Sequence, residues 1–576
     1  MSEPVLRRAH PVLRAPFNVW DLVAAALILG VFLTISHGAK ETFAPLTTLA
    51  KTPISLDPWR LPEYALRTSL RMIGGLAASL AFTLSYATLA AKSKHAEIVL
   101  IPLLDILQSI PVFGYLTFTL AWFLALAPGN VAGAEFASVF LAFTAQAWNM
   151  AFSFYQSLRT VPEEMTEAGR MFGLNGWARF WRIEVPFGLP PLIWNMMMSM
   201  SGGWFFVVAA EAISVGPTTI VLPGIGSYIA SAIKQQNLGA IAWAIGAMLV
   251  VILIYDQLLF RPLVAWADKF RIDTEDSEEY PESWALNVIR RSDLMDRIAA
   301  PFHAFMAWTY RLTPAARGRA GILRDAVPSR AGDAVWWVFL TALAIFALWH
   351  IWLMLGSALS FSDVASAAGL GAITLVRVIV LIALASLIWT PIGVYVGLRP
   401  HLAHIIQPVA QFLAAFPANL VFPVAVYLIV RYALNPDIAL SPLMVLGTQW
   451  YILFNVIAGA SAIPRELRDA GTNLQVKGLL WWRKIALPGV FPYYVTGAIT
   501  ASGGSWNAAI VAEVATWGSH TLRAHGLGAY IADATQAGNF HRIVLGIATM
   551  SFYVVVVNRL FWRPLYWFAE RRYRLT

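Results

Sequence analysis

Four ionisable side chains lie inside strongly apolar stretches of this sequence, in two matching sets: Arg71 with Glu211, and Arg377 with Glu513. A charge in such surroundings is costly unless it is paired or put to use, so these residues are the first candidates for function. Either each arginine pairs with the glutamate of its own set and braces the segments that carry them, or one member meets a charged substrate. Both sets are complete, and that pattern favours pairing. Other side-chain chemistry is sparse. Neither HExxH nor GxSxG occurs, the ten histidines are scattered and cysteine is absent, so no catalytic or metal site is expected. No lysine follows a glycine, which excludes a Walker A phosphate loop.

The elements that carry these charges must be membrane spans. Hydrophobic residues make up 58% of the chain and charged residues 13%, far from the balance of a soluble domain. Apolar runs long enough to cross a bilayer fall near 18–36, 66–91, 98–125, 132–158, 187–215 and 238–260. They resume near 334–356, 368–397, 403–430, 438–460, 490–516 and 540–562, giving an all-α membrane protein of about twelve transmembrane helices. The formal charge of +9 concentrates in loops that share one side, which by the positive-inside rule is the cytoplasm, with both termini. No basic patch carries interleaved stacking aromatics, so nucleic acid is not a partner; the bilayer is.

Self-comparison fixes the organisation. Sliding the chain until Pro162 meets Pro464 also aligns Glu164, Ala168, Gly169, Gly176, Ile183 and Pro186 with Glu466, Ala470, Gly471, Gly478, Ile485 and Pro488. Trp204 and Glu211 fall on Trp506 and Glu513, and "GIGSYIA" falls on "GLGAYIA". After a small change of register upstream, Arg71, Pro102 and Pro111 meet Arg377, Pro408 and Pro417. The chain is two copies of one unit, at 64–265 and 368–567, expected to lie parallel in the bilayer. A tail and first helix occupy 1–63, a cytoplasmic linker 266–332, a seventh helix and external loop 333–367, and a tail 568–576. Within the linker, 285–312 is expected to form an amphipathic helix against the membrane face.

The best retained part of the repeat is a cytoplasmic loop, where sequences ordinarily diverge. In each copy an Ala-Gly step sits early in a short amphipathic helix, expected to admit a partner backbone closely, and a proline follows where the chain re-enters the membrane. Such a segment is a docking element. Its residues are Glu164, Glu167, Ala168, Gly169 and Gly173 in the first copy, and Glu466, Asp469, Ala470 and Gly471 in the second.

At these residues the sequence resembles the coupling motif of permease subunits of bacterial ATP-binding-cassette importers: Glu167-Ala168-Gly169, Gly173 and Ile183-x-Val185-Pro186, then Asp469-Ala470-Gly471 and Ile485-x-Leu487-Pro488. Gln475 stands where the motif has glycine, and first-half substitutions are expected to be the more damaging. The glutamates near "GLG.YI" are most similar to permeases of the nitrate, sulfonate and taurine class. The resemblance implies an inner-membrane importer pathway for a small anion such as nitrate, a sulfonate, taurine or bicarbonate. It further implies two cytoplasmic ATPase subunits that hold the ATP and Mg, no cofactor on this chain, and an external solute-binding protein. Trp204, Trp506 and Asn507, on the helices that follow the docking segments, are expected to face the pathway. The rival reading is a twelve-helix secondary transporter with two parallel repeats.

Overall fold

The computed structural model describes residues 53–110, 112–215, 218–270, 283–312 and 359–573, with isolated positions elsewhere. The expected spans at 18–36 and 334–356 lie almost entirely outside the described residues. The first unit runs through α1 (Leu61–Lys92), α2 (Lys94–Ser109), α3 (Val112–Leu126), α4 (Ala132–Arg159), the short α5 (Glu163–Met171), α6 (Val185–Ala210), α7 (Ile225–Lys234) and α8 (Leu238–Tyr255). The linker carries α9 (Trp284–Arg291) and α10 (Asp293–Leu312). The second unit repeats the order as α11 (Phe361–Gly397), α12 (Pro400–Ala415), α13 (Phe422–Arg431), α14 (Gln449–Ser461), α15 (Arg465–Asn473), α16 (Leu487–Ala512), α17 (Leu527–Gln536) and α18 (Phe540–Val557). The only strands among the described residues form two antiparallel hairpins, β1 (Ala212–Val215) with β2 (Thr218–Val221) and β3 (Val514–Trp517) with β4 (His520–Arg523).

Not every expected span is one helix. Among the described residues, four helices are long and apolar enough to cross a membrane, and three bent pairs join them if each pair counts as one span. The run at 98–125 splits into α2 and α3, and the run at 403–430 bends by 69°. The cause is the same in both. Ile110 (ψ 128°) and Phe416 (ψ 128°) are extended, the conformation forced on a residue that precedes proline, here Pro111 and Pro417. α6 and α16 are each entered through a π-helical turn, Phe180–Glu184 and Trp482–Ala486, with a proline, Pro186 or Pro488, two residues beyond it.

The units interlock through symmetry-related contacts. The Asn507 side chain on α16 accepts the Val112 N–H at the start of α3 (2.8 Å), while Asn419 Nδ2 donates to the Phe205 carbonyl on α6 (3.1 Å). The first satisfies a backbone N–H at a helix start, where the ladder leaves it open. One continuous core runs through both units, with Trp204 and Trp506 the largest fully buried side chains.

Candidate functional site

Each intramembrane arginine sits in a cluster larger than a pair. Arg71 Nη1 lies 2.6 Å from Glu211 Oε1, and its Nε and Nη2 grip both oxygens of Glu135, each at 2.6 Å. Thr68 Oγ1 donates to Glu211 (2.7 Å) and accepts the Ile225 N–H (3.0 Å). In the second unit Arg377 Nη1 lies 2.7 Å from Glu513, and Thr374 makes the same two bonds, to Glu513 (2.9 Å) and from Leu527 N–H (2.9 Å). The third partner is Asp437, 3.6 Å from Arg377 Nη2 and held by the His525 N–H and ring. Glu135 and Asp437 escaped the sequence reading although they stand in the same repeat register as Glu211 and Glu513. Asp437 sits in a polar "NPD" stretch and so does not stand out as an intramembrane charge.

The glutamates do more than neutralise arginine. Glu211 Oε2 accepts the Gly226 N–H at the start of α7 (2.7 Å), and Glu513 Oε2 accepts the Ala529 N–H of α17 (3.0 Å), so each carboxylate faces the positive end of a helix. The glycines of "GIG" and "GLG" make room for this. A Cβ on Gly224 would fall 2.2 Å from the Glu211 carboxyl carbon, and one on Gly226 1.9 Å from the Val208 carbonyl; Gly526 and Gly528 meet Glu513 and Ala509 in the same way. The carbonyls of Glu211 and Glu513 also close the hairpins, accepting from Leu222 (2.8 Å) and Ala524 (2.9 Å). Arginine, glutamate, hairpin and glycine helix are therefore one device, built twice.

The segments expected to dock a partner are α5 and α15 with the turns that follow. Glu164, Glu167, Glu466 and Asp469 are exposed and make no ion pair among the described residues. Gly169 and Gly471 are buried against their own segment. A Cβ there would lie 2.6 Å from Ile183 Cδ1 and 2.3 Å from Ile485 Cδ1. This corrects the expected role of the Ala-Gly step: its glycine lets the returning isoleucine pack beneath the helix. Ala168 is half-buried and Ala470 exposed. Each helix ends in the same left-handed turn, at Gly173 (φ 69°) and Gln475 (φ 53°), closed by Leu174 N–H to Gly169 O (3.0 Å) and Val476 N–H to Gly471 O (2.8 Å). Gln475 thus keeps the motif's backbone at a conformational cost. Gln475→Gly is expected to stabilise the turn by about 1 kcal/mol, seen as slower hydrogen exchange at Val476; unchanged exchange would show that the turn is not strained. Phe172 and Leu474, in equivalent positions, project from the ends of the two helices, 83% and 76% exposed.

Of the residues assigned to the pathway, Trp204 borders a small cleft between the units, together with Met197, Tyr255, Gln411 and Tyr451. The cleft holds about 40 Å³, room for a few waters at most. Trp506 is buried and stacks on Tyr553 at 6.2 Å, and Asn507 is engaged by Val112 as described. Asp256, which also borders the cleft, is paired with Arg261 at 2.9 Å.

Two interlocked helical units, each with a buried charge cluster and an exposed short helix between two long ones, define a duplicated permease-type membrane protein. The family described as binding-protein-dependent transport system inner membrane component matches residues 84–261 and again 389–572, more than half of the sequence, and the chain belongs to that family. It is similar to the bicarbonate transport system permease protein CmpB of Synechococcus elongatus, 29% identical over 186 residues, covering 32% of this chain and 64% of the relative. The nitrate import permease protein NrtB of Leptolyngbya laminosa is 25% identical over 189 residues (33% and 64%). The trimethylamine N-oxide transport system permease protein TmoV of Pelagibacter ubique aligns through both units, 23% identical over 536 residues (85% and 69%). The chain thus spans slightly less than two thirds of the length of the bicarbonate and nitrate relatives.

Proposed function

We propose that this chain supplies both halves of the translocation pathway of an importer driven by separate ATPase subunits, with about twelve spans and both termini in the cytoplasm. The observation that carries the reading is the pair of exposed docking segments with one backbone geometry in the two units. Two equivalent surfaces are what a pair of ATPase subunits requires, each grasping one unit and turning its closure into rigid-body movement of the helices. ATP and Mg belong on those subunits, since this sequence has no phosphate loop. The substrate class we favour is a small anion, in keeping with the names of the bicarbonate and nitrate relatives. Selection is assigned to an external binding protein, because the cleft between the units offers little polar surface to a ligand.

Purification of the chain from its native membrane in mild detergent tests the assembly. Two ATPase subunits and Mg-dependent ATP hydrolysis are expected in the eluate. A chain that purifies alone and still transports would overturn the reading.

A further inference from the structure

Among the described residues, the hydrogen bonds of α10 to the two expected docking segments go to the first. Asn175 Nδ2 donates to the Tyr310 carbonyl at the end of α10 (2.8 Å), Trp177 Nε1 donates to Thr309 Oγ1 (3.1 Å), and the Arg182 guanidinium lies over the Tyr310 ring at 5.0 Å. At the matching positions of the second unit, Lys477 and Leu479 are exposed. The other end of the linker is fixed by Trp284 Nε1, which donates to Gln257 (3.3 Å) beside the end of α8, and by packing of α9 on the short helix Arg261–Ala267. The helix pair is therefore held against the C-terminal part of Leu238–Phe270, a helix long and apolar enough to cross a membrane.

The outward face of α10 is apolar. Ala300, Pro301, Ala304, Phe305 and Trp308 are exposed and recur at helical spacing, with Phe305 and Trp308 in ring contact at 5.8 Å and each more than half exposed. Arg297, towards the start of α10, and Arg290, at the end of α9, are exposed. An apolar stripe carrying aromatic rings, flanked by arginines and tethered to a candidate membrane span, matches a lipid surface in both shape and charge.

We propose that α10 lies in the headgroup layer of the cytoplasmic leaflet and binds anionic lipid, with Phe305 and Trp308 inserted and Arg290 and Arg297 on the headgroups. Through Thr309 and Tyr310 the bound helix then holds the turn that follows α5, making the first docking segment responsive to lipid charge and the second indifferent to it. Only this last step rests on the proposed transport function.

The absence of cysteine makes the test direct. Phe305→Cys is spin-labelled in the full-length chain, reconstituted in nanodiscs of phosphatidylcholine or of phosphatidylcholine with phosphatidylglycerol, and its accessibility to oxygen and to a water-soluble nickel chelate is measured without any ATPase present. The label is expected to be oxygen-accessible and nickel-protected in the anionic discs and more water-exposed in the neutral ones. Arg290→Glu and Arg297→Glu are each expected to weaken the anionic preference by about fivefold or more in partitioning. A label in water in both discs overturns the proposal, as does one equally buried in both, or one protected only when an ATPase subunit is added. Because no transport is measured, these outcomes stand apart from the fate of the importer reading.

Discussion

Arg71→Ala is expected to destabilise the chain by about 3–5 kcal/mol and to remove most of it from the folded pool. The guanidinium is the shared cation for two carboxylates, and its loss leaves Glu135 and Glu211 facing the same space without compensation. Glu211→Ala is milder on charge, since Arg71 keeps its two-pronged contact with Glu135, although α7 loses the acceptor at its first turn. Arg377→Ala should also be milder, because Asp437 is partly exposed and retains His525. A simple pair would be rescued in part by exchanging its charges, but here exchange fails for two stated reasons. A glutamate at position 71 would oppose Glu135, and an arginine at 211 would point at the N–H groups that open α7. Yields of monodisperse protein and detergent melting curves for the three single substitutions and the exchange of residues 71 and 211 measure this. An Arg71→Ala chain as stable as wild type, or a swap that restores stability, would refute the cluster's structural role.

Ala470→Trp is expected to lower ATP-driven uptake roughly ten- to hundredfold, the range of an ordinary coupling free energy, while the chain stays folded in the membrane. Ala470 is exposed and its neighbour Gly471 is the residue packed on Ile485, so a bulky side chain at 470 alters the docking surface and spares the fold of the segment. Ala168→Trp should be more damaging, because Ala168 is half-buried in a segment also braced by α10. Glu466→Lys probes the same surface by charge, reversing one of the exposed carboxylates. Uptake in membrane vesicles, normalised to inserted chain and compared with ATP hydrolysis, reads the effect. Wild-type uptake by both Ala470→Trp and Glu466→Lys would show that α15 does not couple.

Much of this arrangement was legible in the sequence because duplication repeats constraints along with residues. Arg71 and Glu211 stood out because a charge in an apolar run is rare, and the docking segments because a loop had been kept. What was not legible depended on geometry that residue type does not encode. Pro111 and Pro417 were visible as matching residues, yet their breaking of two spans follows from the backbone of the residue before each. Gly169 read as an opening for a partner because its real neighbour, Ile183, returns from beyond a turn. Glu135 lay hidden at the end of a run, and only the fold brings it to Arg71. Gln475 read as a departure, whereas its left-handed backbone reproduces that of Gly173.

The central claim is that this chain moves its solute only when a separate ATPase drives it. Its most direct test is uptake into proteoliposomes holding the purified chain, with and without its ATPase and binding protein, in the presence of ATP or of an imposed ion gradient. The account predicts accumulation that needs all three proteins and ATP and is indifferent to ionophores. Accumulation by the chain alone, driven by an ion or proton gradient and abolished by ionophores, would contradict it.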